Sequence, residues 1–86
     1  MRIEYDRRFK KHFQRLSVRI QLLALEKEEL FRGNWRDVSL HTHKLTGREE
    51  GFWAFWINLH YRIKFDFKED GTVRFYNIGT HDDVYE

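Results

Sequence analysis

Eighty-six residues are enough for one small domain and too few for two, so one unit over residues 1–86 is expected. The chain has no Cys, which excludes a disulfide framework and a thiolate metal site, and no apolar run approaches the roughly 18 residues of a membrane span. The net charge of +2 is unevenly spread: residues 1–34 hold nine Lys and Arg against five Asp and Glu, and residues 35–86 hold seven against nine.

A domain this small needs an efficient core. Eight Phe, four Tyr and three Trp supply one, since each ring buries roughly 150–250 Å². The opening MRIEYDRRFKK lacks the apolar centre of a signal peptide, and with the missing Cys this leads to a cytoplasmic expectation.

In chain order, Arg2–Tyr5 alternates and reads as a short first strand. Asp6 is placed to cap a helix on which Phe9, Phe13 and Leu16 recur at i, i+4 and i+7. Ser17 can cap a second helix from Val18 to about Phe31, stopped at Gly33-Asn34. One unbroken helix would be long for such a domain, so a helical hairpin is expected. From Trp35 the period changes to 2. Val38 and Leu40 alternate with Ser39 and His41, a possible strand. Phe52–Ile57 is apolar on both faces, as in a central strand. Tyr61, Ile63, Phe65 and Phe67 alternate with Arg62, Lys64, Asp66 and Lys68, which predicts one wet face. Asp70-Gly71 marks a hairpin turn, Val73–Ile78 returns, and Gly79 ends the strand before a short tail. The expected class is α+β: an N-terminal strand and a helical hairpin packed on one face of a three- to four-stranded antiparallel sheet.

Six basic residues and no acid lie between Arg7 and Arg19: Arg7, Arg8, Lys10, Lys11, Arg15 and Arg19. Such a stripe serves a polyanion or an acidic protein, or is simply a solvated helix face. His41 and His43 at i, i+2 share one face if they lie on a strand, a spacing a metal accepts, with His60 or His81 to complete it. Without carboxylates at matching offsets the pair equally reads as surface histidine. Metal-free RNA cleavage is the other chemistry these groups offer. It needs a base for the 2′-OH proton, an acid for the leaving 5′ oxygen and a cation for the phosphorane. His81, Arg62 and Tyr85 supply those groups. Against this stand a cross-strand partner acid for Arg62 and a merely packed tail for His81 and Tyr85.

The runs His43-Lys44-Leu45-Thr46-Gly47, Tyr61-Arg62-Ile63 and Ile78-Gly79-Thr80-His81-Asp82-Asp83-Val84-Tyr85 closely resemble the RelE/ParE toxin superfamily. The likeness is nearest to the RelE/StbE and YafQ-like branch of bacterial type II toxin–antitoxin systems, and it spans nearly the whole chain. It implies a ribosome-dependent endoribonuclease that cuts mRNA in the A site with no metal and no cofactor. The implied partners are a cognate antitoxin protein, the ribosome with its rRNA, and mRNA; no membrane is involved. Carried over, the catalytic positions fall on His81, Arg62, His43 and Tyr85. Two positions depart from the pattern. Trp56 stands where some relatives have His, and His60 stands where some have an acid, so His60 joins the catalytic candidates. Lys44, Arg48 and the Arg7–Arg19 stripe become a phosphate-binding rim. The superfamily also holds ParE-like gyrase poisons, which need no catalytic His, and a catalytically dead binding module is the remaining alternative. Asp82 and Asp83 read as turn and capping residues.

Overall fold

The computed structural model describes residues 1–85; Glu86, the last residue of the expected unit, lies outside them. Strand β1 (Ile3–Tyr5) leads into helix α1 (Arg7–Arg15), whose start is set by the Asp6 carboxylate accepting from the Arg8 N–H at 2.9 Å. Leu16 and Ser17 then take extended backbone angles, and the Ser17 hydroxyl accepts from Ile20 N–H to begin helix α2 (Val18–Gly33). Two consecutive extended residues reverse the chain, which gives the expected helical hairpin.

Strands β2 (His43–Lys44), β3 (Trp53–Trp56), β4 (Tyr61–Phe67) and β5 (Val73–Thr80) follow, and α3 (His81–Val84) closes the chain. The sheet has five strands in the order β1-β5-β4-β3-β2. It is mixed, where three or four antiparallel strands were expected. β1 lies parallel to β5, with Ile3 opposite Val73, and the other pairs are antiparallel. A three-residue strand carries no local sign of a partner at the far end of the chain.

One sheet face carries Phe55, Ile63, Phe65 and Phe75, and both helices lie on it. Phe31 of α2 is fully buried there, 4.6 Å from Phe55 and 5.0 Å from Phe65 between ring centres. Phe9 of α1 adds a further ring against Phe75 at 5.5 Å. The alternate residues, Trp56, Arg62, Lys64 and Tyr76, take the opposite face.

Three expectations change here. The alternation at Val38–His41 is no strand: Val38–Leu40 is a 3₁₀ turn, because Asp37 accepts from both the N–H and the hydroxyl of Ser39. The polar face of β4 is not wet. Arg62 and Lys64 are only 6% and 3% exposed. Lys64 is covered by Phe52 and Tyr76 and paired with Glu49 at 3.0 Å. Gly79 does not end the last strand, which runs on to Thr80 with Gly79 opposite Arg62. The short tail after it is helical over His81–Val84. Between β4 and β5, Lys64 faces Asn77 and Phe65 faces Phe75, so Tyr76 is the extra residue of a bulge.

A four-residue helix does not hold itself. Thr80 holds it by a capping box: its hydroxyl accepts from Asp83 N–H, and the Asp83 carboxylate accepts from Thr80 N–H. Asp83 thus has the capping role expected of it. Thr80→Ala is expected to cost about 1 kcal/mol, read as a lower urea midpoint with an unchanged m-value. An unchanged midpoint would show that burial of Val84 alone holds the turn.

Candidate active site

Trp56, Arg62 and Gly79 form one row across β3, β4 and β5, since Trp56 pairs with Arg62 and Arg62 with Gly79. The row ends in a residue without a side chain, and α3 fills that space. A Cβ at position 79 would lie 3.0 Å from the Asp83 Cβ. This close approach sets α3 down on the sheet beside Arg62 and brings His81 and Tyr85 to the same place. The loop after β2 forms the opposite wall. The result is a cleft of about 480 Å³ whose lining includes His43, Lys44, Arg48, Trp56, Arg62, His81 and Tyr85.

Arg62 is the unusual member. Its Nη1 donates to the carbonyls of Asn58, Leu59 and Tyr61 at 2.8, 2.9 and 3.2 Å, and its carbon lies 4.1 Å from the centre of the Trp56 ring. Its Nε is buried with no acceptor, and among the described residues no carboxylate pairs with it. The nearby acid on its strand, Asp66, is taken by Arg74 at 2.7 Å. A buried cation held only by carbonyl dipoles keeps most of its appetite for an anion.

The two histidines flank the tyrosine. The His43 Nδ1 lies 2.7 Å from the His41 carbonyl, which can only accept, so Nδ1 carries a proton, and in the neutral ring the lone pair is on Nε2. The Tyr85 hydroxyl reaches that Nε2 at 3.4 Å. His81 packs edge-on to Tyr85, with ring centres 4.4 Å apart. The His81 side chain is 61% exposed, and its Nδ1 lies 3.5 Å from the freely solvated Asp82. Burial raises the pKa of the Tyr85 phenol, and the positive charge of Arg62 and its hydrogen bond pull the other way without reversing the shift. Tyr85 therefore keeps its proton through neutral pH and acts as a donor.

His60 stays outside the cleft lining, and meets α3 through its backbone carbonyl, which accepts from His81 N–H at 3.2 Å. His41 and His43 do not share a strand face: His41 stacks on Trp56 at 3.8 Å, whereas His43 turns to Tyr85. Among the described residues no group of three or more His, Asp or Glu is placed to hold a metal.

The basic stripe divides. Arg7, Arg8 and Lys11 line a depression with His12 and Tyr76, and Arg15 borders Gly79 and Asp83 beside α3. Arg8 lies 5.3 Å over the Tyr76 ring, and His12 Nδ1 is 2.6 Å from Asn77 Oδ1. These contacts place that side of α1 along the edge of β5 that β1 leaves free. Lys10 instead turns to the groove between α1 and α2, with Phe13 and Leu25, and Arg19 is exposed at the start of α2. None of the six makes an ion pair among the described residues. His12 is a neighbour that the sequence reading did not single out, whereas Trp56 entered it as a departure from the family pattern and His41 as half of a metal spacing.

No family model matches the chain, and no curated protein does. Solved structures do. YafQ from E. coli strain BL21(DE3) superposes with a TM-score of 0.81 over 100% of both chains, at 18% identity. The chain has the RelE/ParE toxin fold. The YoeB/ParE toxin from Agrobacterium tumefaciens gives a TM-score of 0.76 over 94% of this chain and 99% of its own, at 13% identity. YafQ in the E. coli DinJ-YafQ toxin-antitoxin complex gives 0.67 over 98% of this chain and 96% of its own, at 17% identity. Within this RelE/ParE-like fold, the cleft lies on the sheet face that the two long helices leave open. Among the described residues no helix is long and apolar enough to cross a membrane.

Proposed function

We propose that the chain is the toxin of a type II toxin–antitoxin pair: a cytoplasmic, ribosome-dependent endoribonuclease that cuts mRNA in the A site. The observation that supports this most is Arg62, a buried guanidinium without a carboxylate, in one cleft with His43, His81 and Tyr85. A gyrase poison has no use for that set.

The reaction needs no metal. An imidazole takes the 2′-OH proton as O2′ bonds to the adjacent phosphorus. The Arg62 fork stabilises the extra negative charge of the phosphorane. The P–O5′ bond breaks, O5′ takes a proton from the other imidazole acting as the acid, and a 2′,3′-cyclic phosphate and a 5′-hydroxyl result. His81 and His43 are the two proton-transfer groups, the Nε2 of His43 being placed to act as the base, and Tyr85 holds the substrate base or assists as a hydroxyl donor. Lys44, Arg48 and the α1 cations Arg7, Arg8, Lys11 and Arg15 contact rRNA and mRNA phosphates, which sets position and not sequence. The antitoxin partner is supported by YafQ's having been solved with DinJ as a toxin-antitoxin complex. It would inhibit by masking this basic surface or the cleft.

Expression of the protein is expected to arrest growth, with primer extension showing new 5′ ends within mRNA codons. Intact mRNA together with inhibited supercoiling by purified gyrase would put the ParE-like reading in its place.

A further inference from the structure

His41 is the one non-glycine residue with positive φ among the described residues, at φ 51°, ψ 37°. This left-handed conformation is uncommon for residues with a side chain, and where it persists its surroundings hold it. Here it ends the Val38–Leu40 turn, the His41 N–H donating to Val38 O at 3.2 Å. Two contacts leave from this single residue. Its carbonyl accepts from His43 Nδ1 at 2.7 Å. Its ring stacks on Trp56 at 3.8 Å and 26°, and Trp56 lies against Arg62 at 4.1 Å. One strained residue thus touches the supports of two groups that the reaction needs.

We propose that His41 is a positioning residue for the cleft. Its left-handed backbone aims a carbonyl that fixes the His43 tautomer, leaving Nε2 as the free base toward Tyr85, and its ring steadies the Trp56 platform beneath Arg62. The proposal rests on reading the cleft as the catalytic site. The physical logic is that of an imidazole whose second nitrogen is pinned by an acceptor, which sets both tautomer and ring direction. A ring free to rotate would offer N–H where a lone pair is needed.

Two variants separate the two contacts. His41→Val places a β-branched residue where φ is positive and should release the turn. His41→Gly keeps the left-handed backbone at no steric cost but removes the stack. Long-range ¹⁵N–¹H correlation at pH of about 8.5, where imidazoles are largely neutral, reports the His43 tautomer without reference to activity. Wild type and His41→Gly should show the Nδ1–H form. His41→Val should show a tautomer mixture, and its cleavage kcat should fall roughly 10²-fold, as a 1 Å misplacement does, with KM little changed. His41→Gly should lose less, through Arg62 alone. An unchanged His43 tautomer in His41→Val overturns the proposal. If His41→Val does not fold, an Nε2–H tautomer for His43 in His41→Gly or in the wild type overturns it equally. A wild-type protein that shows the Nδ1–H form but cuts no mRNA sinks the nuclease reading and leaves the tautomer result standing.

Discussion

Arg62→Ala is expected to lower the rate of mRNA cleavage on a programmed ribosome by about 10²–10³-fold, and Arg62→Lys to recover little of it. The argument starts from how the guanidinium is held. Nη1 is occupied by the carbonyls of Asn58 and Leu59 in the β3–β4 connection and of Tyr61 at the start of β4, and the plane lies on Trp56. The side chain is therefore anchored at one end of its fork, so the remaining N–H groups are fixed in direction before any anion arrives. Donors fixed beforehand need no reorganisation when charge develops on the phosphorane, which is why their loss is expensive. A lysine brings one compact ammonium with no second arm. It must either satisfy the loop carbonyls or face the cleft, and it cannot do both. Removing the guanidinium also frees the carbonyls of Asn58 and Leu59, so a parallel urea titration is needed to separate lost chemistry from lost fold. A folded Arg62→Ala protein with wild-type cleavage would remove Arg62 from the reaction.

The parts of this arrangement that were legible in the sequence are those with local causes. The caps at Asp6 and Ser17, the hairpin between the helices and the Asp70-Gly71 turn each follow from residues a few positions apart. What was not legible depends on distant pairing. The wet face expected of β4 failed because Arg62 is covered by α3 and Trp56, and Lys64 by Phe52, Tyr76 and Glu49, residues of other elements that alternation cannot report. Gly79 reads as a terminator by composition, yet its use is a close approach: it sits in the strand so that Asp83 can come down on it. The cleft itself was partly visible. His43, Lys44, Arg48, Arg62, His81 and Tyr85 were singled out from chemistry and resemblance, and the fold brings all of them to one cavity. His60 was singled out on the same grounds and lies outside that lining, because only its carbonyl turns toward α3. The geometry of His41 was hidden for a further reason. A left-handed backbone at a histidine has no sequence signature, so the His-x-His spacing suggested a shared face where there is none.

His81→Ala is expected to have the other large effect, a loss of about 10²–10⁴ in kcat with KM nearly unchanged. In the proposed reading Lys44, Arg48 and α1 hold the mRNA by its phosphates, so removing a proton-transfer group should leave binding intact and strike only the chemical step. The exposure of His81 supplies a control that a structural role would not satisfy. Its side chain is 61% exposed, so the space left by alanine is open to solvent, and added imidazole should restore part of the rate. Tyr85 cannot serve as the base. Burial holds its phenol pKa above the ordinary value of about 10 despite Arg62. The phenol stays protonated below that value and is lost as a donor only when pH rises past its raised pKa. The alkaline limb due to Tyr85 should therefore lie above about 10, and Tyr85→Phe should abolish that limb without moving any change near neutrality. His43→Ala should cost as much as His81→Ala if the two imidazoles share one proton path, and the double variant should be little worse than either single one, because groups that act as a unit are not additive. Strict additivity of the two losses would mean that His43 and His81 work in separate steps, and full activity of His81→Ala would remove α3 from the chemistry altogether.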